Sequence, residues 1–258
     1  MKPAKSIRVR GKVLGGPATL VCAPLVGATP ARLLAEARTV MRKGPDVLEW
    51  RVDHFRDVAD TGKVIGPGRA LRDAIGDVPL IFTRRSPREG GQPTTLRGAD
   101  VVRLYGAVAD ARFADFLDFE MANGAARVRQ VIDAAHRRKV RVILSSHDFK
   151  RTPPVRTLVR RFLEAGRLGG DVAKVAVMPR DRRDVLALLQ ATAEAHAKSR
   201  IPLVSMSMGP LGAVSRMVGG LFGSSLGFAV GAASSAPGQP KIADLRAAFA
   251  LLERMPAR

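Results

Sequence analysis

A chain of 258 residues, 46% of them hydrophobic, has enough apolar material for one large core, and α/β barrels of this length are ordinary single domains. Its formal net charge of +20 invites a nucleic-acid or anionic-membrane partner. The basic residues are spread in short runs such as Arg137–Arg138–Lys139, and one Trp and one Tyr offer little surface for stacking on bases. The expectation is therefore no nucleic acid, but a basic field that draws in small anions.

The first ten residues are basic without the apolar run of a signal peptide, which sets the expectation of a cytoplasmic protein. Residues 6–16 suit a β-hairpin. Strands are expected at 19–24, 47–52, 80–83, 116–120, 140–145, 172–177, 203–206 and 226–230. Between them lie amphipathic stretches. Residues 30–42 set Leu33, Leu34, Ala37 and Val40 at helical spacing, and 127–138 do the same with Val128, Val131, Ile132 and Ala135. Residues 181–198 and 241–253 follow the same pattern. Strands alternating with helices imply parallel pairing with right-handed crossovers. Eight such units over residues 1–258, with no linker or composition shift, predict one (β/α)₈ barrel domain. Cys22, the only cysteine, excludes an intramolecular disulfide and reads as a packed thiol. Residues 217–236 carry no charge and space Gly223, Gly227 and Gly231 like a membrane-helix packing face. Their Gly and Ser content, with Pro237–Gly238 next, favours turns instead and no membrane span.

A barrel gathers its chemistry at the C-terminal ends of its strands. Glu49 and Arg51 end the second candidate strand, Arg85 and Glu89 follow the third, and Glu120 ends the fourth. Ser145, His147 and Asp148 end the fifth, Lys174 lies within the sixth, Arg216 follows the seventh, and Ser235 and Gln239 follow the eighth. Lys174 stands in Asp171–Val172–Ala173–Lys174–Val175–Ala176–Val177, where burial penalises an ammonium and favours a nucleophilic amine. Taken alone it reads more readily as a lysine that blunts a sheet edge or snorkels to water, but a closed barrel has no edge and weakens that reading. His147 can move protons near neutrality, and Glu89 could fix its tautomer; a helix-cap or loop histidine is the competing reading. Arg51, Arg85 and Arg216 offer planar donors for a carboxylate or for hydroxyls. No HExxH, CxxC, Walker or Rossmann glycine pattern appears, so neither a tightly held zinc nor a nucleotide cofactor is expected.

These segments together resemble one family. Glu49–Trp50–Arg51–Val52–Asp53, Phe82–Thr83 through Gly91, Asp118–Phe119–Glu120 and Ser145–Ser146–His147–Asp148–Phe149 are similar, in order, to motifs of the type I 3-dehydroquinate dehydratases of the shikimate pathway. Ala173–Lys174, Met208–Gly209 through Ser215–Arg216, Phe222–Gly223–Ser224 and Ser234–Ser235–Ala236–Pro237–Gly238–Gln239 continue the match. The resemblance spans about residues 19–252. It implies dehydration of 3-dehydroquinate to 3-dehydroshikimate through a Schiff base on Lys174, with His147 as general acid/base and Glu89 orienting it, and without metal or cofactor. It further implies that Arg216 meets the substrate carboxylate, that Glu49, Arg51, Arg85, Ser235 and Gln239 bind the rest, that residues 224–240 include a lid, and that the protein is a homodimer. The sequence departs from the family at Ser146, where Asn is frequent, and at Arg84, where an apolar or small residue is common. Another imine-forming barrel of the class I aldolase type remains the alternative, ahead of a basic nucleic-acid-binding protein or a barrel that has lost activity.

Overall fold

A computed structural model describes residues 6–233 and 235–254 of the chain; residues 1–5, Ser234 of the lid motif and residues 255–258 lie outside the described residues. The chain opens on the expected hairpin, β1 (Ile7–Val9) against β2 (Lys12–Leu14). Its turn has positive φ at both Arg10 (44°) and Gly11 (75°), the backbone that a two-residue hairpin turn requires.

Strand–helix units then follow: β3 (Leu20–Leu25), α1 (Pro30–Met41), β4 (Val47–Arg51), α2 (Thr61–Ile75), β5 (Leu80–Thr83), α3 (Ala99–Ala111), β6 (Phe116–Glu120) and α4 (Ala125–Arg137). The second half runs β7 (Arg141–Asp148), α5 (Val155–Arg167), β8 (Val172–Val177), α6 (Arg182–Lys198), β9 (Leu203–Ser207), α7 (Gly209–Val218), β10 (Leu226–Phe228) and α8 (Ile242–Glu253). The eight strands from β3 to β10 are parallel, with β10 paired to β3. The ring is nearly closed. Between β9 and β10 there is only an isolated bridge, Leu203 to Ser224, and the Ser224 hydroxyl takes the place of a ladder by accepting the Ser205 N–H at 3.0 Å.

The helix at α2 shows how packing overrides local punctuation. Gly62, Gly66, Pro67 and Gly68 suggest a loop, yet Val64, Gly68, Leu71 and Ile75 recur on one buried face. Gly68 is required there, since a Cβ would sit 2.4 Å from the Phe113 ring. The uncharged stretch 217–236 is broken into the end of α7, a 3₁₀ turn (Gly219–Phe222) and the short β10. Among the described residues, no helix is long and apolar enough to cross a membrane.

The barrel separates two apolar cores by strand periodicity. Outward-facing Val21, Leu48, Trp50, Phe82, Leu117, Leu144 and Val175 pack under the helices. Trp50, Phe82, Tyr105, Phe113 and Phe119 concentrate the few aromatics in one sector, mostly edge to face. Inward-facing Cys22, Val47, Ile81, Phe116, Ile143, Val172, Val204 and Leu226 fill the lower barrel, and Leu14 of the hairpin packs with them. Burial raises the Cys22 thiol well above its ordinary pKa, as expected for a packing residue.

An aspartate repeats at the floor. Asp46, Asp115 and Asp171 each stand one residue before a strand, and each carboxylate accepts the N–H at the start of the preceding strand: Val21 (2.9 Å), Leu80 (2.9 Å) and Val142 (2.8 Å). The same aspartates hold Lys12 (2.7 Å), Arg72 (2.7 Å) and Arg141 (3.1 Å). Part of the large basic content is thus committed to closing the end of the barrel where the strands begin.

Candidate active site

Two residues further along each of five adjacent strands, the inward stripe turns from apolar to polar. Val47 is followed by Glu49, Ile81 by Thr83, Phe116 by Asp118, Ile143 by Ser145 and Val172 by Lys174. One more step along the period gives Arg51, Arg85, Glu120 and His147. The strand register sets Ser145 beside both Glu120 and Lys174. The opposite wall stays apolar, with Met206 of β9, Met208 just beyond it and Phe228 of β10.

Lys174 is 4% exposed. Its Nζ donates to Asp118 Oδ2 at 2.8 Å and Glu49 Oε1 at 3.2 Å, and lies 4.4 Å from the centre of the Phe228 ring. Burial is therefore compensated by two carboxylates and an aromatic face. Asp118 is fully buried and also accepts from Arg85 Nη2 (2.8 Å) and Ser145 Oγ (2.6 Å). Burial alone would raise its carboxyl, but Arg85 and Lys174 overcome this and hold it far below the usual carboxylate range. Arg85 Nη1 donates to Glu120 (3.3 Å) and Ser145 (2.9 Å). Glu49 also accepts from Thr83 at 2.9 Å.

The strand β7 extends through Asp148, so His147 belongs to the strand itself rather than to the loop beyond it. Its Nδ1 lies 2.7 Å from Glu89 Oε2, which also accepts the His147 backbone N–H at 3.0 Å. Burial, with Glu120 near, pushes the Glu89 carboxyl up to about 8. Burial, with Arg85 and Lys174 near, drives the imidazole well below its ordinary pKa. Through the neutral range the carboxyl therefore keeps its proton and the imidazole stays uncharged. With Oε2 already accepting the backbone N–H, the geometry favours Nδ1–H donating to the same oxygen, with the carboxyl proton on Oε1, which leaves Nε2 as the basic nitrogen. Glu89 reaches this position on a short turn ended by Gly90 (φ 82°), where a Cβ would meet the Phe149 ring at 2.2 Å.

Arg216 is 2% exposed and has no carboxylate within ion-pair distance among the described residues. Its Nη1 points at Met206 Sδ (3.3 Å), its Nη2 donates to the Pro237 carbonyl (3.2 Å), and its Nε is buried without a partner. Burial lowers its pKa to about 10. Arg51 forms a two-point pair with Asp53 (2.9 and 2.8 Å) and donates to the Ser235 carbonyl at 3.3 Å. Gln239 closes its own turn, accepting from Ser235 N at 2.9 Å and donating to Ser235 Oγ at 3.2 Å. The segment after β10 is seated over the mouth on Arg51 and Arg216.

All nine residues to which the resemblance gives a role, Glu49, Arg51, Arg85, Glu89, His147, Lys174, Arg216, Ser235 and Gln239, line one cavity, whereas Glu120, Ser145 and Asp148 are not among its lining. Three buried acids around the site had no role assigned from the sequence: Asp118, which holds Lys174, Glu120, which holds Arg85, and Asp53, which holds Arg51. The pattern Phe116–x–Asp118–x–Glu120, aligned with Val172–x–Lys174, carried the signal for the first. Arg84 points away from the cavity. Its Nη2 donates to Thr94 Oγ1 (2.8 Å) and the Leu96 carbonyl (3.1 Å), so this departure supports the adjoining loop.

An amine on a barrel strand, an imidazole with a carboxylate behind it and a cation in want of an anion are the parts of a lysine-dependent enzyme working on a charged carbonyl compound, and fold and cavity together put this chain in that class. The family model for type I 3-dehydroquinase matches residues 21–256. A 3-dehydroquinate dehydratase of Albidiferax ferrireducens is 49% identical over 255 residues, covering 98% of this chain and 97% of that protein. The crystal structure of 3-dehydroquinate dehydratase from Geobacillus kaustophilus superimposes with a TM-score of 0.96 at 44% identity, over 99% of each chain. A type I enzyme from Clostridium difficile, solved with covalent modified comenic acid, gives a TM-score of 0.93 at 34% identity, over 97% of this chain and 98% of that one. The chain belongs to the type I 3-dehydroquinase family.

Proposed function

We propose that the protein is a hydro-lyase that converts 3-dehydroquinate to 3-dehydroshikimate through an imine on Lys174. The observation that carries this reading is the convergence of Lys174, His147 and Arg216 on one cavity. Arg216 receives the ring carboxylate, and Glu49, Arg51, Arg85, Ser235 and Gln239 hold the hydroxyls and the remaining polar edge. Lys174, once it has given up a proton, adds to the ketone carbon, and the carbonyl oxygen leaves as water. The iminium nitrogen is again a cation, so Asp118 and Glu49 stabilise the same charge before and after addition. His147 Nε2 takes the proton from the carbon beside the iminium. The electron pair left there expels the hydroxyl on the next carbon, which departs as water with a proton from His147. Water then adds to the imine carbon, and its collapse releases the enone and restores the amine. The balance is one water lost. The covalent comenic acid of the Clostridium difficile relative supports a site able to form adducts.

The test is direct. Purified protein mixed with 3-dehydroquinate should generate a conjugated enone absorbing in the ultraviolet, lighter than its precursor by one water. Carbon–carbon cleavage instead would favour the aldolase reading, and no reaction would overturn both. The reading includes one catalytic domain over residues 1–258, a cytoplasmic location and a homodimer, for which sedimentation at the mass of two chains is the check.

Arg216 carries a prediction with two signs. A buried cation without a counter-charge costs several kcal/mol of desolvation, and apolar replacement of buried charges is often stabilising by about 1–4 kcal/mol. Arg216→Met should therefore raise the melting temperature of the unliganded protein by about 2–4 °C for each kcal/mol regained. Losing a buried partner for a carboxylate costs about 2–5 kcal/mol, so KM should rise by about 30-fold or more. A lower melting temperature with unchanged KM would make Arg216 a structural residue.

A further inference from the structure

Asp53 touches neither Lys174 nor His147 and does not line the cavity, yet its carboxylate gathers more donors than its place beyond the end of β4 requires. It lies in the 3₁₀ turn Val52–His54, and its side chain is fully shielded from solvent. Oδ1 accepts Arg51 Nε at 2.9 Å and the Arg85 backbone N–H at 3.2 Å. Oδ2 accepts Arg51 Nη2 at 2.8 Å and the Gln92 backbone N–H at 3.0 Å. Each oxygen thus takes one bond from Arg51 and one from the main chain.

The two main-chain donors bracket the turn that bears Glu89. The chain leaves β5 for that turn at Arg85 and comes back to Asp53 at Gln92. Between them the Ser86 carbonyl accepts from Glu89 N (3.0 Å) and Gly91 N (2.8 Å). Gly91 admits no side chain, because a Cβ would fall 2.0 Å from the Arg85 carbonyl oxygen. The two bonds from Arg51 fix its guanidinium plane and direct Nη1 to the Ser235 carbonyl. We propose that Asp53 is a positioning residue that couples the Glu89 turn, and through it His147, to the segment 235–239 over the mouth. Closure of that segment and the setting of the acid–base pair then share one carboxylate. The inference deepens the dehydratase reading and rests on it.

Asp53→Asn keeps the shape but turns one acceptor oxygen into an NH₂ that faces N–H donors, so the side chain can no longer serve both sides. Misplacement of reacting groups by a distant change costs on the order of 10²-fold, and a loss of that order in kcat/KM is expected, with kcat lowered as well as KM raised. Hydrogen exchange should quicken in 86–92 and 235–239 together. Borohydride with 3-dehydroquinate should still trap an adduct on Lys174 of the variant. Arg51→Ala, which leaves Asp53 in place, should quicken exchange in 235–239 and spare 86–92, and it keeps the idea testable if Asp53→Asn does not fold. Wild-type kcat and KM in Asp53→Asn, or faster exchange in only one of its two segments, would overturn the coupling. Equal loosening of both segments by Arg51→Ala would do so too. Absence of any adduct on the wild-type protein would instead strike the dehydratase reading itself, so the two failures are distinct.

Discussion

Lys174→Ala is expected to cut turnover of 3-dehydroquinate by about 10⁵-fold or more. The covalent route disappears with the amine, and the general acid–base help that remains is worth only about 10²–10⁴-fold. The variant should fold, with a lower melting temperature. Stripping one partner from a buried ion pair costs about 3–5 kcal/mol, because the other charge is left uncompensated. Here the loss falls at the low end, since Asp118 keeps Arg85 at 2.8 Å and Ser145 at 2.6 Å, and Glu49 keeps Thr83 at 2.9 Å. Steady-state kinetics and a thermal melt on the same preparation check both halves. Turnover within about tenfold of the wild type would remove the imine from the mechanism.

His147→Ala should lower kcat by about 10²–10⁴-fold while leaving Lys174 able to form an adduct slowly. The two losses differ because the imidazole serves the proton transfers, whereas the amine makes the bond. The pH profile adds an independent check. The His147–Glu89 pair takes up a second proton only well below the ordinary histidine pKa and gives up its last one at about 8. Wild-type kcat/KM should therefore stay level as pH falls through about 6.5, where a free imidazole would be half protonated, and decline above 8. Glu89→Gln cannot ionise at that position and should lose the upper limb. A wild-type acid limb centred on the free-imidazole value would contradict a desolvated His147.

The mouth of the barrel was legible in the sequence because period-two strands and the strand-end rule act together. Once 47–52, 116–120 and 172–177 are strands of one parallel barrel, Glu49, Asp118 and Lys174 must face the same interior. The surroundings of the Lys174 amine were less legible, because the carboxylates that meet its Nζ come from β4 and β6. Asp53 was hidden for a similar reason. Its four donors lie on its own strand end and on the far sides of another turn, and no local pattern reports that convergence. At α2 the Gly–Pro punctuation masks a helix that tertiary packing supplies. At the β9–β10 seam a serine hydroxyl replaces ladder bonds that no strand pattern could distinguish.

The most direct test is chemical. The wild-type protein is incubated with 3-dehydroquinate, reduced with borohydride, digested and mapped by mass. A secondary amine joining the ligand carbon skeleton to the Lys174 side chain, absent without substrate, is the expected product. Efficient turnover with Lys174 recovered unmodified, or with the label on another lysine, would contradict the account.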